Sequence, residues 1–186
     1  QAHIDAYRHV QGDVQNPDLV PPIVTLERKN GYGGSTVRSI GRLSIGIEPQ
    51  YSGEPGGPGN GVLMKLAPLA YWQYVASVNP KQAEEQVVAY TVMTHDSPVA
   101  VVSSLVHRAI LTDLLAMNPH ATGGESQLAS LYAQAIAYAE QYEALLGVKP
   151  ETSEVLKRLD GTKKIKRKDI LQAAEKGGFY APETLL

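Results

Sequence analysis

Glycine is the residue type in this chain that most directly suggests chemistry, because it is concentrated in two short runs. The first is Gly31-Tyr32-Gly33-Gly34-Ser35-Thr36, the second Gly56-Gly57-Pro58-Gly59-Asn60-Gly61. The second leads straight into the apolar stretch Val62-Leu63-Met64-Lys65-Leu66-Ala67-Pro68-Leu69-Ala70. A glycine loop that opens onto a helix presents several backbone N–H groups together and lets a bulky anion approach the main chain. Phosphates or a sugar diphosphate need that kind of cradle. Two ordinary surface loops with tight turns would have the same composition, so both readings stand at this point.

The remaining candidates are fewer. His95-Asp96, just before Ser97-Pro98, is a titratable pair at a helix junction. It suits either a site or a histidine that is simply hydrogen-bonded there. Lys163-Lys164-Ile165-Lys166-Arg167-Lys168 could meet phosphates, but no aromatic residue interleaves it as a base-stacking platform would require. It reads as a solvated turn between two short helices. The first glycine run lacks the third glycine of a dinucleotide fingerprint, and Val62 stands where a P-loop needs lysine. Ser44, in Gly41-Arg42-Leu43-Ser44-Ile45-Gly46, is one residue out of register for a nucleophile elbow. His3, His9, His95, His107 and His120 include no pair at helical i, i+4 spacing for a metal. No Asp-Asp or Asp-x-Asp pair is present to bridge hard cations. No catalytic side chain can be named from these patterns.

The elements that must position these residues are mostly helical. Ala67, Ala70, Tyr71, Tyr74 and Val75 recur at three- and four-residue spacing and predict one helical face. After Asn79-Pro80 the pattern resumes over residues 82–93, with Ala83, Val87, Val88, Tyr90 and Thr91 on its face. Ser97-Pro98 reads as an N-cap followed by proline at the first helical position. It opens an apolar helix over 99–117, closed by Asn118-Pro119. A third long helix is predicted over 125–146, with Leu128, Leu131, Tyr132, Ala135, Ile136, Ala139, Tyr142 and Leu145 inward and Gly147 as its stop. Short helices are expected over 153–159 and 168–176, and residues 22–26 are the one strand candidate. No repeat and no alternating β-α pattern occurs. The fold class expected is all-α.

The 186 residues suffice for one domain with a sizeable core. A hydrophobic share of 43% with 19% charged residues is ordinary for a globular protein. The net charge of −2 gives no general reason to expect nucleic acid or a membrane surface as partner. Without cysteine there is no disulfide, thiol nucleophile or zinc-thiolate site. No uninterrupted apolar run approaches the roughly 20 residues that span a bilayer, and no signal-peptide pattern opens the chain. These features point to a cytoplasmic location. The start at Gln1, and a helix begun by Phe179-Tyr180-Ala181-Pro182-Glu183-Thr184-Leu185-Leu186 that ends after about one turn with no cap, lead us to expect part of a longer protein.

Against this background, Gly59-Asn60-Gly61-Val62-Leu63-Met64-Lys65-Leu66-Ala67-Pro68 resembles the Gly-Asn-Gly-x-x-Met-Arg-x-Ala-Pro signature of the ADP-ribosylglycohydrolases. Three further segments agree in order. Gly31-Tyr32-Gly33-Gly34-Ser35 resembles the family's glycine loop, and Thr94-His95-Asp96-Ser97-Pro98 its Thr-His element before a long helix. Gly178-Phe179-Tyr180-Ala181-Pro182-Glu183-Thr184-Leu185 resembles the Gly-Tyr-x-x-x-Thr-Leu entry to a late helix. Lys65 departs from the usual arginine, and Pro58 precedes the signature glycine.

The resemblance implies a compact all-α multi-helix bundle, of which residues 1–186 would be the central, incomplete part of a single domain. It implies hydrolysis of the glycosidic bond joining ADP-ribose to a protein side chain or small molecule. Gly31, Tyr32, Gly33, Gly34 and Ser35 would cradle the diphosphate. Gly59, Asn60 and Gly61 would line the ribose pocket, with Met64 also against the substrate and His95 near the adenosine side. The family uses two magnesium ions (Mg2+) held by an N-terminal Thr-Asp-Asp and a C-terminal Asp-x-Asp-Thr, and neither motif occurs here. The metal ligands would then come from remaining segments of the same protein, and this chain alone would be inactive. The alternative is a catalytically inactive ADP-ribose-binding or helical scaffold module.

Overall fold

The computed structural model describes residues 33–117, 124–158 and 181–185. Seven α-helices fall in them: α1 Gly34–Ser44, α2 Pro49–Ser52, α3 Leu66–Val75, α4 Pro80–Val92, α5 Pro98–Ala116, α6 Gly124–Leu146 and α7 Glu151–Arg158. Two strands of two residues each, β1 Glu54–Pro55 and β2 His95–Asp96, pair in parallel with Glu54 opposite His95. Short 3-10 helices occupy Leu63–Lys65 and Pro182–Leu185. The architecture is all-α.

The core forms around α5, which touches α3, α4, α6 and α7. Its residues 100–106 are all buried, as expected of a helix enclosed on every side. Val101, Val102, Leu105 and Val106 meet Leu66 of α3, Val87 of α4, Ala135, Ala139 and Tyr142 of α6, and Leu156 of α7. By length and mean hydropathy α5 could also cross a bilayer, although no uninterrupted apolar run of that length was expected. Here His107 and Arg108 interrupt it, and its N-terminal half is the centre of the bundle.

Local signals set the helix ends close to their predicted places. Asn79 accepts a hydrogen bond from Lys81 N and caps α4, with Pro80 at its first position. The pair starts the helix two residues before the predicted boundary. Ser97 accepts from Ala100 N and caps α5. Gly147, at φ +63°, ends α6 in the left-handed region. Glu143 of α6 caps α7 from a distance: Oε1 accepts from Thr152 N at 2.7 Å and Ser153 N at 3.1 Å. That cap starts α7 at Glu151, ahead of the predicted residue 153. The final predicted helix is a 3-10 helix in its described part, Pro182–Leu185.

Other expectations are corrected. The face predicted for α3 is buried only at Ala70. Leu66, Ala70 and Gln73 are buried, while Ala67, Tyr71, Tyr74 and Val75 face outward. The reason is Gln73, whose polar atoms are all used. Its Nε2 donates to Ala83 O and Gln86 Oε1, and its Oε1 accepts from Arg108 Nε. A satisfied amide can be buried where a periodicity rule expects solvent. Leu145, predicted inward on α6, is 74% exposed. Helices α1 and α2 and the β1–β2 pair were not foreseen. The strand candidate at 22–26, the basic run 163–168, the helix at 168–176 and the side chain of Leu128 lie outside the described residues.

Candidate functional site

The first glycine run is only half loop. Gly33 is extended, at φ −65° and ψ 150°, and is the N-cap of α1; Gly34 and Ser35 are already helical, which corrects the loop reading. Ser39 Oγ lies 2.8 Å from Ser35 O, one turn back, and 3.0 Å from Thr94 O, so its single proton is shared between the two carbonyls. Among the described residues no side chain caps α1 and no acidic residue lies in its first turn, so its leading N–H groups have no partner there. In front of them a Cβ added at Gly33 would meet nothing within 4 Å. Arg38 folds back over this turn, with Nη1 3.1 Å from where a Cβ of Gly34 would stand. Gly31 and Tyr32 lie outside the described residues.

The second run is fixed from three sides. Gly56 N donates to Asp96 O at 2.8 Å, Ser97 Oγ donates to Gly57 O at 2.9 Å, and Ala181 N donates to Pro58 O at 2.8 Å. Gly57 is tight against the first run: a Cβ there would lie 3.3 Å from Ser35 Oγ. Gly61 is tighter. A Cβ would stand 3.1 Å from His95 Cε1, 3.2 Å from His95 Nε2 and 3.5 Å from Thr36 Oγ1. Gly59 and Asn60 lie between these anchors, half-buried, and Asn60 O accepts from Met64 N. Met64 faces outward at the rim, 70% exposed.

His95 sits on β2 beneath Gly61, 2% exposed. Its Nδ1 shares a hydrogen bond of 2.9 Å with Thr94 Oγ1. Burial, reinforced by the Lys65 cation, pushes its pKa down to about 4. At neutral pH the imidazole is therefore uncharged and can donate or accept, according to its tautomer. Lys65 ends the 3-10 helix after Gly61, half-buried, with Nζ 5.9 Å from the centre of the Tyr90 ring. Burial holds its pKa below the usual lysine range.

An arginine pair ties α1 to β1. Arg38 Nε and Arg42 Nη2 meet Glu54 Oε2 at 2.9 and 3.3 Å. The Arg38 hydrogen bond, opposed by partial desolvation and helped by both cations, holds Glu54 below its ordinary pKa. Arg42 Nη1 also donates to Gly53 O at 2.6 Å. Glu54 thus serves the arginines and is not a free base.

Gly33, Gly34, Ser35, Gly59, Asn60, Gly61 and His95 therefore belong to one neighbourhood, with Met64 at its edge. Sequence reading missed Thr36, Ser39, Thr94, Lys65 and Arg38 as members. Thr36, Thr94 and Lys65 stood inside the quoted strings, while Ser39 and Arg38 gave no signal. The arrangement offers backbone N–H groups, a neutral imidazole, hydroxyls and cations, which suits a polar anionic ligand. Among the described residues no group of three or more His, Asp or Glu could hold a metal ion, so they do not fit a two-magnesium centre.

Comparison with known proteins gives one family: the sequence model described as ADP-ribosylglycohydrolase matches residues 3–186, essentially the whole chain. No curated protein and no solved structure matches it.

Proposed function

The chain belongs to the ADP-ribosylglycohydrolase family, and from that membership and the geometry above we propose that the two glycine segments hold ADP-ribose joined to a protein side chain or small molecule, whose glycosidic bond the protein hydrolyses. The observation that carries this reading is the convergence at Gly61. There a loop glycine is pressed between His95 of β2 and Thr36 of α1, and Ser35 meets Gly57 beside it. Three segments far apart in sequence are brought to one spot beside the N-terminus of α1.

The leading N–H groups of α1 receive the diphosphate, assisted by the positive end of the helix dipole. Gly33 leaves room for the phosphates, and Arg38 adds charge at the same turn. Gly59, Asn60 and Gly61 shape the ribose side. Neutral His95 hydrogen-bonds to the ligand through Nε2 without placing a charge beneath it. These residues bind and orient. In this reading the metal ligands lie on segments other than the described residues, residues 1–186 are the central part of one domain, and the protein works in the cytoplasm.

The lack of a carboxylate-rich group among the described residues favours a second reading, an ADP-ribose-binding module without chemistry. One experiment separates the two. The intact protein, with and without magnesium, is given ADP-ribosylated arginine, serine and small-molecule substrates, and ADP-ribose binding is measured by calorimetry. Magnesium-dependent release of ADP-ribose supports the hydrolase. Binding without release from any substrate supports the module. Absence of ADP-ribose binding refutes both. The 186-residue chain alone is expected to release nothing.

A further inference from the structure

Lys65 has a charge that its surroundings do not satisfy. Its stem is half-buried after the second glycine run, and among the described residues no carboxylate lies within ion-pair distance. The other cations near the cradle differ, since Arg38 and Arg42 both pair with Glu54. What Lys65 has is the face of Tyr90, 5.9 Å from Nζ, and a neighbouring His95 kept neutral. A ring face returns only part of what a cation loses on leaving water. Tyr90 also packs against Val62, Leu63 and Ala181, which fixes the platform beneath the ammonium.

We propose that Lys65 is a binding residue for the ligand's diphosphate, a side-chain cation that completes the cradle formed by the glycine segments. This inference rests on the functional reading above and adds a named charge contact to it. An anionic group at this position supplies the missing counter-charge, with glycine N–H groups and the Lys65 ammonium donating to it together. Arginine can replace lysine here, because the contact needs charge and reach. A neutral side chain cannot.

The test uses inorganic pyrophosphate and ADP-ribose as probes on the intact protein. In the wild type, pyrophosphate is expected to shift the NMR signals of the Lys65 side chain, and calorimetry gives both affinities. Lys65→Met, which keeps the stem, is expected to weaken both ligands at least tenfold with an unchanged melting temperature. Lys65→Arg should stay within threefold of the wild type. An unshifted Lys65 signal in the presence of saturating pyrophosphate, or a Lys65→Met variant with wild-type affinity, overturns the proposal. If pyrophosphate binds at Lys65 and ADP-ribose does not bind, the functional reading fails and the Lys65 contact stands. If ADP-ribose binds and Lys65→Met leaves its affinity unchanged, the Lys65 contact fails and the functional reading stands.

Discussion

Acidification should destabilise this protein through one imidazole. His95 is 2% exposed, and its pKa is held at about 4 against an ordinary value of 6.5. Between those two values the unfolded chain carries a proton on His95 that the folded chain lacks. Stability therefore rises with pH in that window and is fully present above about pH 6.5. A shift of this size, at about 1.4 kcal/mol per unit, gives about 3 kcal/mol lost as pH falls from 6.5 to 4. Domains commonly have only about 5–15 kcal/mol in total, so the loss is measurable. Urea unfolding at pH 7.5, 6.5, 5.5 and 4.5 would be compared between the wild type and His95→Asn, whose amide can keep the bond to Thr94. His107, also lowered by burial, contributes in the same direction. It cancels in the difference between the two proteins if the sites are independent. The expected result is a wild-type curve that falls by about 2.5 kcal/mol more than the variant's between pH 7.5 and 4.5. An imidazole signal for His95 that titrates near 6.5, or identical pH slopes in the two proteins, would refute the reasoning.

Two further outcomes follow from glycines at either end of the site. Gly33→Val should leave the fold intact by circular dichroism, because its Cβ meets nothing within 4 Å. It should still weaken ADP-ribose binding by at least tenfold, about 1.4 kcal/mol, by blocking approach to α1; unchanged affinity by calorimetry would remove the first glycine run from the site. Gly53→Ala should act through the fold instead, since its Cβ would lie 2.0 Å from Val92 O and 3.0 Å from Asp96 N. The parallel pairing beside it must shift, and a loss of at least about 2 kcal/mol in urea unfolding is expected; wild-type stability would show that the backbone is not constrained there.

Features that depend on near neighbours along the chain were legible in the residues alone. The starts of α4 and α5 follow from Asn79-Pro80 and Ser97-Pro98, and the end of α6 from Gly147, because caps and left-handed turns are interactions across a few residues. The same locality made the two glycine runs legible, along with the signature from Gly59 to Pro68. Tertiary structure decided which way each helix faced and which segments met. Spacing alone found Ala70 and missed the rest of the buried face of α3, since nothing local reveals that Gln73 finds partners on α4 and α5. Helix α1 is tied to the segment before α5 by the bond from Ser39 to Thr94, across 55 positions. His95 was singled out from the sequence, but its place beneath Gly61 follows from the pairing of β2 with β1. Such contacts join residues tens of positions apart, and only the packed chain sets the distances between them.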